Sequence, residues 1–253
     1  MYKVTALCGS ARKAHTYGAI RQFLDSLEAR GGVTGEIIVL SEENLKPCRG
    51  CKLCIDRGEE LCPLGDDGAA LISRLEKADG VIIATPNYSF HVSGHTKLFL
   101  DRLGYLFHRP RMFGKTFTSL VTQGIYGGGA ILRYLNFVGG ALGYNTIKGS
   151  CLNTLEPQPE KVRLQNERKI DKQARRFYKT LGKQKLPVPS LLKLVLFRLS
   201  RTSMKKMLGE EFRDYIWYRE KGWFDSDYYY PVKLNPIKKI AASLVDVAAG
   251  GKK

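Results

Sequence analysis

Four of the six cysteines crowd into 15 residues: Cys48-x2-Cys51-x2-Cys54-x7-Cys62-Pro63. Three cysteines at two-residue gaps can present thiolates around one small centre. A more distant fourth completes the four-thiolate set that a [4Fe–4S] cluster takes. Zinc favours two separated pairs, so this spacing suits zinc less well. Redox-active or simply packed thiols are the alternative, and the residue types leave both readings open. Cys8 and Cys151 stand apart and read as small buried strand residues.

Three other segments carry chemistry. The first is Cys8-Gly-Ser-Ala-Arg-Lys-Ala-His-Thr-Tyr, where a strand passes into a helix. A helix N-terminus offers unpaired N–H groups and the positive end of a dipole, which together form an anion site. Ser10 and Thr16 add hydroxyls, and Arg12 and Lys13 add charge. An ordinary polar turn is the plain alternative. The second segment is Thr85-Pro86-Asn87-Tyr88-Ser89, where proline stops a strand and turns the chain. The third is Thr122-Gln-Gly-Ile-Tyr-Gly-Gly-Gly129, whose glycines allow the backbone to approach a planar ligand. Gly128 and Gly129 read better as a turn before a helix. Lys97, Asp101 and Arg102 share a helix, and their expected role is structural, through an i,i+4 ion pair. His91 and His95 read as solvated or interface residues.

Alternating periodicities position these segments. Short apolar runs read as buried parallel strands: Lys3–Cys8, Glu36–Leu40, Gly80–Thr85, Thr116–Thr122 and Asn145–Gly149. Amphipathic stretches between them read as helices: Tyr17–Arg30, Gly68–Ala78, Gly94–Phe107 and Gly129–Leu142, with a basic helix over Pro159–Leu181. This alternation predicts a doubly wound α/β fold, with a five-stranded flavodoxin-like parallel sheet in the order 2-1-3-4-5. Residues 41–67 break the rhythm as a Cys-rich insertion. The expected organisation is a domain over 1–182 and a basic, mostly helical extension over 183–253.

Charge divides along the same line. The 253 residues carry 41 Lys plus Arg against 24 Asp plus Glu, a net +17. Residues 183–253 hold 15 basic and 7 acidic residues, a net of +8, which leaves +9 for the first 182. Val188–Leu208 holds Lys193, Arg198, Arg201, Lys205 and Lys206 with no acidic residue. As a helix it would set most of these bases opposite Leu192, Leu196, Met204 and Met207. An aromatic stretch follows, Tyr215–Tyr230, and then a last amphipathic helix over Pro236–Ala249. A hydrophobic fraction of 43% argues against a disordered basic protein. There is no membrane-length apolar run and no signal-peptide pattern at Met1–Ser10, so the expectation is a cytoplasmic protein.

Taken together, Gly-Ser-x-Arg after strand one, Thr-Pro-x-Tyr after strand three, and Gly94-x-x-Lys-x-Phe-x-Asp-Arg102 on the next helix resemble the NADPH-dependent FMN reductases and their iron–sulfur flavoprotein relatives. The resemblance covers roughly residues 1–182. It implies that the first loop wraps the FMN phosphate, through Ser10, Arg12, His15, Thr16 and Tyr17. It implies that Pro86, Asn87, Tyr88 and Ser89 lie along the flavin ring, and that Thr122, Gln123, Gly124 and Gly127 close the site. Two positions depart from the family pattern: His15-Thr16, where relatives often carry Asn-Thr, and Asn87, which replaces a small apolar residue. The cysteine run is similar to the compact iron–sulfur motif, with a slightly long last gap, so Cys48, Cys51, Cys54 and Cys62 are the candidate cluster ligands.

The implied activity is electron transfer from NAD(P)H through FMN to a small-molecule or protein acceptor, in a homo-oligomer. The flavin carries the chemistry, so no catalytic side chain is required. The basic surface favours the extra phosphate of NADPH. Three rival readings follow: an iron–sulfur electron carrier without its own substrate, a nucleic-acid-binding module, and peripheral membrane attachment through 188–208. Basic and aromatic residues alternate in Tyr215–Tyr230, which would suit single-strand stacking, but acidic residues interrupt them and no nucleic-acid motif appears.

Overall fold

A computed structural model describes residues 1–183, 186–248 and 250. The chain divides into two compact units: Met1–Arg49 with Leu64–Lys185, and Gly50–Pro63 with Leu186–Lys253. The Cys-rich segment is therefore shared between them. Cys48 belongs to the first unit, and Cys51, Cys54 and Cys62 to the second.

The first unit is built on a parallel sheet. Its strands are β1 (Tyr2–Cys8), β2 (Val33–Val39), β3 (Gly80–Pro86), β4 (Thr116–Gln123), β5 (Asn145–Thr146) and β6 (Ser150–Asn153). The order is β2-β1-β3-β4-β5, with β6 also paired to β4. All pairings are parallel. β3 and β4 are buried almost throughout, as expected for central strands covered on both faces. The fifth strand position differs from the sequence reading of Asn145–Gly149. It is interrupted after Thr146 and resumes at Ser150, running on to Asn153. Gly149 sits against the Ser119 carbonyl oxygen, and a Cβ there would overlap it.

The helices of this unit are α1 (His15–Glu28), α3 (Gly68–Lys77), α4 (Gly94–Asp101), α5 (Gly104–His108), α6 (Gly128–Ala141) and α7 (Glu160–Leu181). The helix expected over Gly94–Phe107 breaks in two between Asp101 and Gly104, where Arg102 and Leu103 form a turn. α1 and α7 pack together on one face of the sheet. Their apolar stripes meet there, with Phe23 and Phe177 edge to face at 5.6 Å between ring centroids. Below them lie Val4, Ala6, Cys8, Ile82, Ala84 and Leu120. Gly80 is required here, because a Cβ would press into the Phe177 ring.

The second unit contains α2 (Leu53–Asp56), α8 (Leu191–Met207), α9 (Arg213–Glu220) and α10 (Pro236–Ala248). Ala249, the expected last residue of α10, lies outside the described residues. α9 runs into the first part of the aromatic stretch. Tyr218, Trp223, Phe224 and Tyr228 of the stretch are buried in the core of this unit. Tyr218 is fully buried. Trp223 meets Tyr218 and Tyr229 with centroids at 5.0 and 4.7 Å, and its Nε1–H donates to the Tyr229 carbonyl. Phe197 of α8 packs edge-on against Tyr229 at 4.5 Å. Within the same unit, α2 packs against α9.

α8 is turned the opposite way from the sequence expectation. Leu194, Phe197, Arg198, Arg201 and Thr202 face inward. Arg201 pairs with Asp246 at 2.6 Å, and Arg198 pairs with Asp227 and Asp246. Carboxylates inside the unit make a buried guanidinium tolerable. Leu192, Leu196 and Met207, expected to pack inward, are exposed.

Candidate functional site

The loops after β1, β3 and β4 converge at the carboxyl ends of the strands. β1 sits between β2 and β3, so the connections after β1 and β3 leave the sheet in different directions. Such a switch point opens a crevice by topology alone. An open cleft of about 270 Å³ lies there, lined by Ser10, Arg12, His15, Thr16, Pro86, Asn87, Tyr88, Thr122, Gln123 and Gly124.

The first loop is held by close backbone approach. Gly9 N–H donates to the Ala84 carbonyl at 2.8 Å, and Ser93 Oγ donates to the Gly9 carbonyl at 2.6 Å. A Cβ at Gly9 would overlap Thr96 Oγ1. Ser10 Oγ donates to the Arg12 carbonyl at 3.0 Å, which curls the loop toward α1. α1 begins without a side-chain cap and with no acidic residue in its first turn. Its first N–H groups therefore want an acceptor. Arg12 and His15 are exposed beside them, while Ser10 and Thr16 are buried. Burial pushes the Cys8 thiol up, so this cysteine stays protonated behind the loop.

The other two loops brace one another. Asn87 Nδ2 donates to the Tyr126 carbonyl at 2.9 Å. Its Oδ1 is buried and has no partner among the described residues. Gln123 is fully engaged in shaping the third loop. Its Oε1 accepts from Gly128 N–H at 2.7 Å, and its Nε2 donates to Asn153 Oδ1 at 2.8 Å. Thr16 and Thr122 share a buried hydroxyl contact of 2.7 Å.

Three of the expected site residues do not line the cleft. Tyr17 packs on the hydrophobic core. Ser89 is exposed at positive φ, in the turn that returns the chain at the Tyr88–His91 bridge. Gly127 caps α6 at φ +99°, and a Cβ there would press on Phe90 and Asn87. Its part is to let Asn87 approach. Ala14 of the first loop was missed, and so were Thr154 and Glu156, which also line the cleft. Glu156 Oε1 lies 3.0 Å from His15 Nε2. Thr154 and Glu156 follow β6, so locating them needed the interruption of the fifth strand.

Arg102 has a different task. It forms a buried ion pair with Asp66 and donates to the Lys46 carbonyl at 3.2 Å. Asp66 also accepts from the N–H groups of Lys46 and Gly68. Burial by itself would raise the Asp66 carboxyl. The Arg102 guanidinium and the two N–H donors outweigh it and hold the group below its usual value. These contacts close the neck of the Cys-rich segment within the first unit. Lys97 and Asp101 form the expected i,i+4 pair.

The residues of the cleft fit FMN on two observations. An uncapped helix N-terminus with Arg12, Ser10 and Thr16 is a phosphate-class donor set. The orphaned Asn87 Oδ1 is an acceptor for a ring N–H. The cysteine set is different. Its donor types suit a thiolate-bound cluster, but among the described residues no three His, Cys, Asp or Glu side chains are grouped to hold a metal ion. Cys48 and Cys51 are exposed, and Cys54 and Cys62 are half-buried.

Comparison with known proteins agrees with the cleft. The sequence model of the family described as NADPH-dependent FMN reductase matches residues 2–154. An iron–sulfur flavoprotein of Methanocaldococcus jannaschii is 35% identical over 101 residues, which is 40% of this chain and 51% of that one. The chain thus spans about half the length of that relative. An iron–sulfur flavoprotein of Archaeoglobus fulgidus is 32% identical over 161 residues, 58% of this chain and 70% of that one. Among solved structures, RosB with a bound intermediate, 8-demethyl-8-formylriboflavin-5′-phosphate, aligns with a TM-score of 0.59 at 14% identity, over 93% of this chain and 92% of its own. A flavone reductase aligns with a TM-score of 0.58 at 14% identity, over 74% and 66%. These two show the flavodoxin-like fold. The phosphate-class cleft, the sheet order and the matched sequence together place the chain in the NADPH-dependent FMN reductase family, with sequence similarity to the iron–sulfur flavoproteins.

Proposed function

We propose that the chain binds FMN in the cleft at the ends of β1, β3 and β4 and oxidises NAD(P)H, handing the electrons to a small-molecule or protein acceptor. The observation that carries this reading is the pairing, in one cleft, of an uncapped α1 N-terminus with an orphaned acceptor on Asn87. When bound, FMN supplies the capacity to accept a hydride and to release electrons singly or in pairs. Arg12, Ser10, Thr16 and the first N–H groups of α1 would hold the phosphate. Asn87 Oδ1 would accept from a ring N–H, and the Pro86–Tyr88 backbone would lie beside the ring. Gln123 and Gly127 position these loops and hold them closed to one another. No side chain has to move a proton for hydride transfer.

The test is steady-state oxidation of NADH and NADPH with an artificial acceptor, with and without added FMN. FMN-dependent turnover supports the reading. Stoichiometric FMN without turnover on either nucleotide would favour an electron carrier. The cysteine spacing and the names of the relatives support a second element, a [4Fe–4S] cluster on Cys48, Cys51, Cys54 and Cys62. Iron and sulfide analysis of anaerobically purified protein decides it, and absence of both would leave the four residues as thiols.

A further inference from the structure

Between β3 and α4 the chain reverses through Tyr88-Ser89-Phe90-His91. Tyr88 and His91 exchange backbone hydrogen bonds of 3.1 and 3.0 Å, as an isolated antiparallel bridge. Both residues at the tip are left-handed, with φ of +49° at Ser89 and +63° at Phe90. That is the type I′ pattern, for which Asn-Gly is the favoured pair. Glycine adopts this conformation freely, whereas a bulky side chain there is strained. Burial does little to offset the strain, since Phe90 is 59% exposed. A strained residue that the fold keeps at the surface points to a task other than packing.

The neighbours of Phe90 locate that task. Its ring meets Tyr126 across the two loops that follow β3 and β4, with centroids 5.5 Å apart and planes tilted by 39°. Tyr126 is 67% exposed, and Ile125 beside it is exposed too. Phe90 Cδ1 lies 2.8 Å, and Asn87 Nδ2 3.0 Å, from the position that a Cβ on Gly127 would take. Phe90 is therefore next to the residue whose Oδ1 would accept from the flavin ring. Tyr88 connects the aromatic pair to the cleft, which it lines. Tyr88, Phe90, Ile125 and Tyr126 carry no charge, so they give a protein electron carrier no ionic docking point. What they present is aromatic faces and edges, which hold a flat conjugated ring in offset or edge-on contact.

We propose that Phe90, paired with Tyr126, is the specificity-determining residue for the electron acceptor, and that it selects neutral planar aromatic acceptors of the quinone class. This rests on the reading that FMN occupies the cleft. In each turnover NAD(P)H, a solvent proton and the quinone become NAD(P)+ and the hydroquinone, with two electrons passing from the nucleotide to the acceptor. The Phe90–Tyr126 wall holds the acceptor ring at the rim of the cleft, beside Asn87.

The experiment compares the FMN-loaded full chain with its Phe90→Gly and Phe90→Trp variants, using NAD(P)H as donor and either menadione or ferricyanide as acceptor. Ferricyanide is compact and needs no stacking surface. Phe90→Gly should lower kcat/KM for menadione about tenfold, mainly through KM, as the loss of one aromatic pair would. The same variant should leave ferricyanide turnover and FMN retention close to wild type. Its thermal midpoint should hold or rise, because glycine relieves the strained turn. Phe90→Trp should keep menadione turnover near wild type. Equal menadione kinetics for wild type and Phe90→Gly would overturn the proposal. So would a Phe90→Gly protein that loses stability, FMN and both activities together, which would assign Phe90 to packing. A wild-type oligomer that Phe90→Gly dissolves, read by sedimentation velocity, would assign the patch to a second copy instead. A wild type that oxidises NAD(P)H with neither acceptor would overturn the underlying oxidoreductase reading, and this proposal with it.

Discussion

The hydroxyl oxygens of Thr16 and Thr122 lie 2.7 Å apart in a buried contact, although the residues are 106 positions apart in the chain. The pair ties the first turn of α1 to the end of β4, across the floor of the cleft. It fixes the separation of two of the three loops that would hold the cofactor. Thr16→Val or Thr122→Val alone leaves one buried hydroxyl without its partner and should cost roughly 1–3 kcal/mol. The double variant should cost less than the sum of the two, because no orphan remains. Urea titration of the four proteins reads the difference directly.

Arg12 is an exposed cation that lines the cleft beside the uncapped start of α1. A charge-assisted contact to a phosphate is worth about 1.5 kcal/mol, or roughly tenfold in affinity. Arg12→Ala should therefore weaken FMN about tenfold and leave riboflavin, which lacks the phosphate, nearly unchanged. Quenching of flavin fluorescence measures both. Equal losses for the two ligands would remove Arg12 from the phosphate site.

Gly9 should accept no side chain. Its Cβ position is occupied by the Thr96 hydroxyl, and Ser93 Oγ is 2.9 Å away. Gly9→Ala must push α4 away from the first loop, at a cost of about 1–3 kcal/mol. We expect a lowered thermal midpoint together with weakened FMN binding, measured on the same sample.

The Asp66–Arg102 pair makes a pH prediction. Asp66 titrates below the ordinary value of 3.8, so its contribution to stability is full above that value. The contribution fades as the pH falls through the lowered value. Asp66→Asn should cost about 3 kcal/mol near neutral pH, because it leaves the Arg102 charge buried without a counter-charge. The gap between variant and wild type should narrow in acid. Denaturant midpoints followed from pH 7 downward test the sign, and a gap that widens in acid would contradict it.

Much of the fold could be read from sequence, because β3 is a nearly continuous apolar run, β4 is rich in β-branched and apolar residues, and α1 and α7 are long and periodic. The three loops were legible for the same reason, since they begin where those strands stop. What failed was long-range. A 3.6-residue period finds α8 but does not say which face is inside. That choice rests on Asp227 and Asp246, which lie 29 and 48 residues from Arg198. Thr154 and Glu156 were missed because the fifth strand pauses at Gly149, and a propensity reading ended the strand there. Gln123 was read as a contact residue. It lines the cleft, and its amide is taken up by Gly128 and Asn153, partners that local sequence does not reveal.

The central claim is that FMN occupies the cleft between Arg12 and Asn87, and the most direct measurement is the visible absorption spectrum of the anaerobically purified chain, repeated after incubation with FMN and gel filtration. The account predicts a two-band oxidised flavin spectrum that is retained through the column at one FMN per chain and is bleached by NADH or NADPH. A colourless protein that also fails to retain added FMN would contradict it.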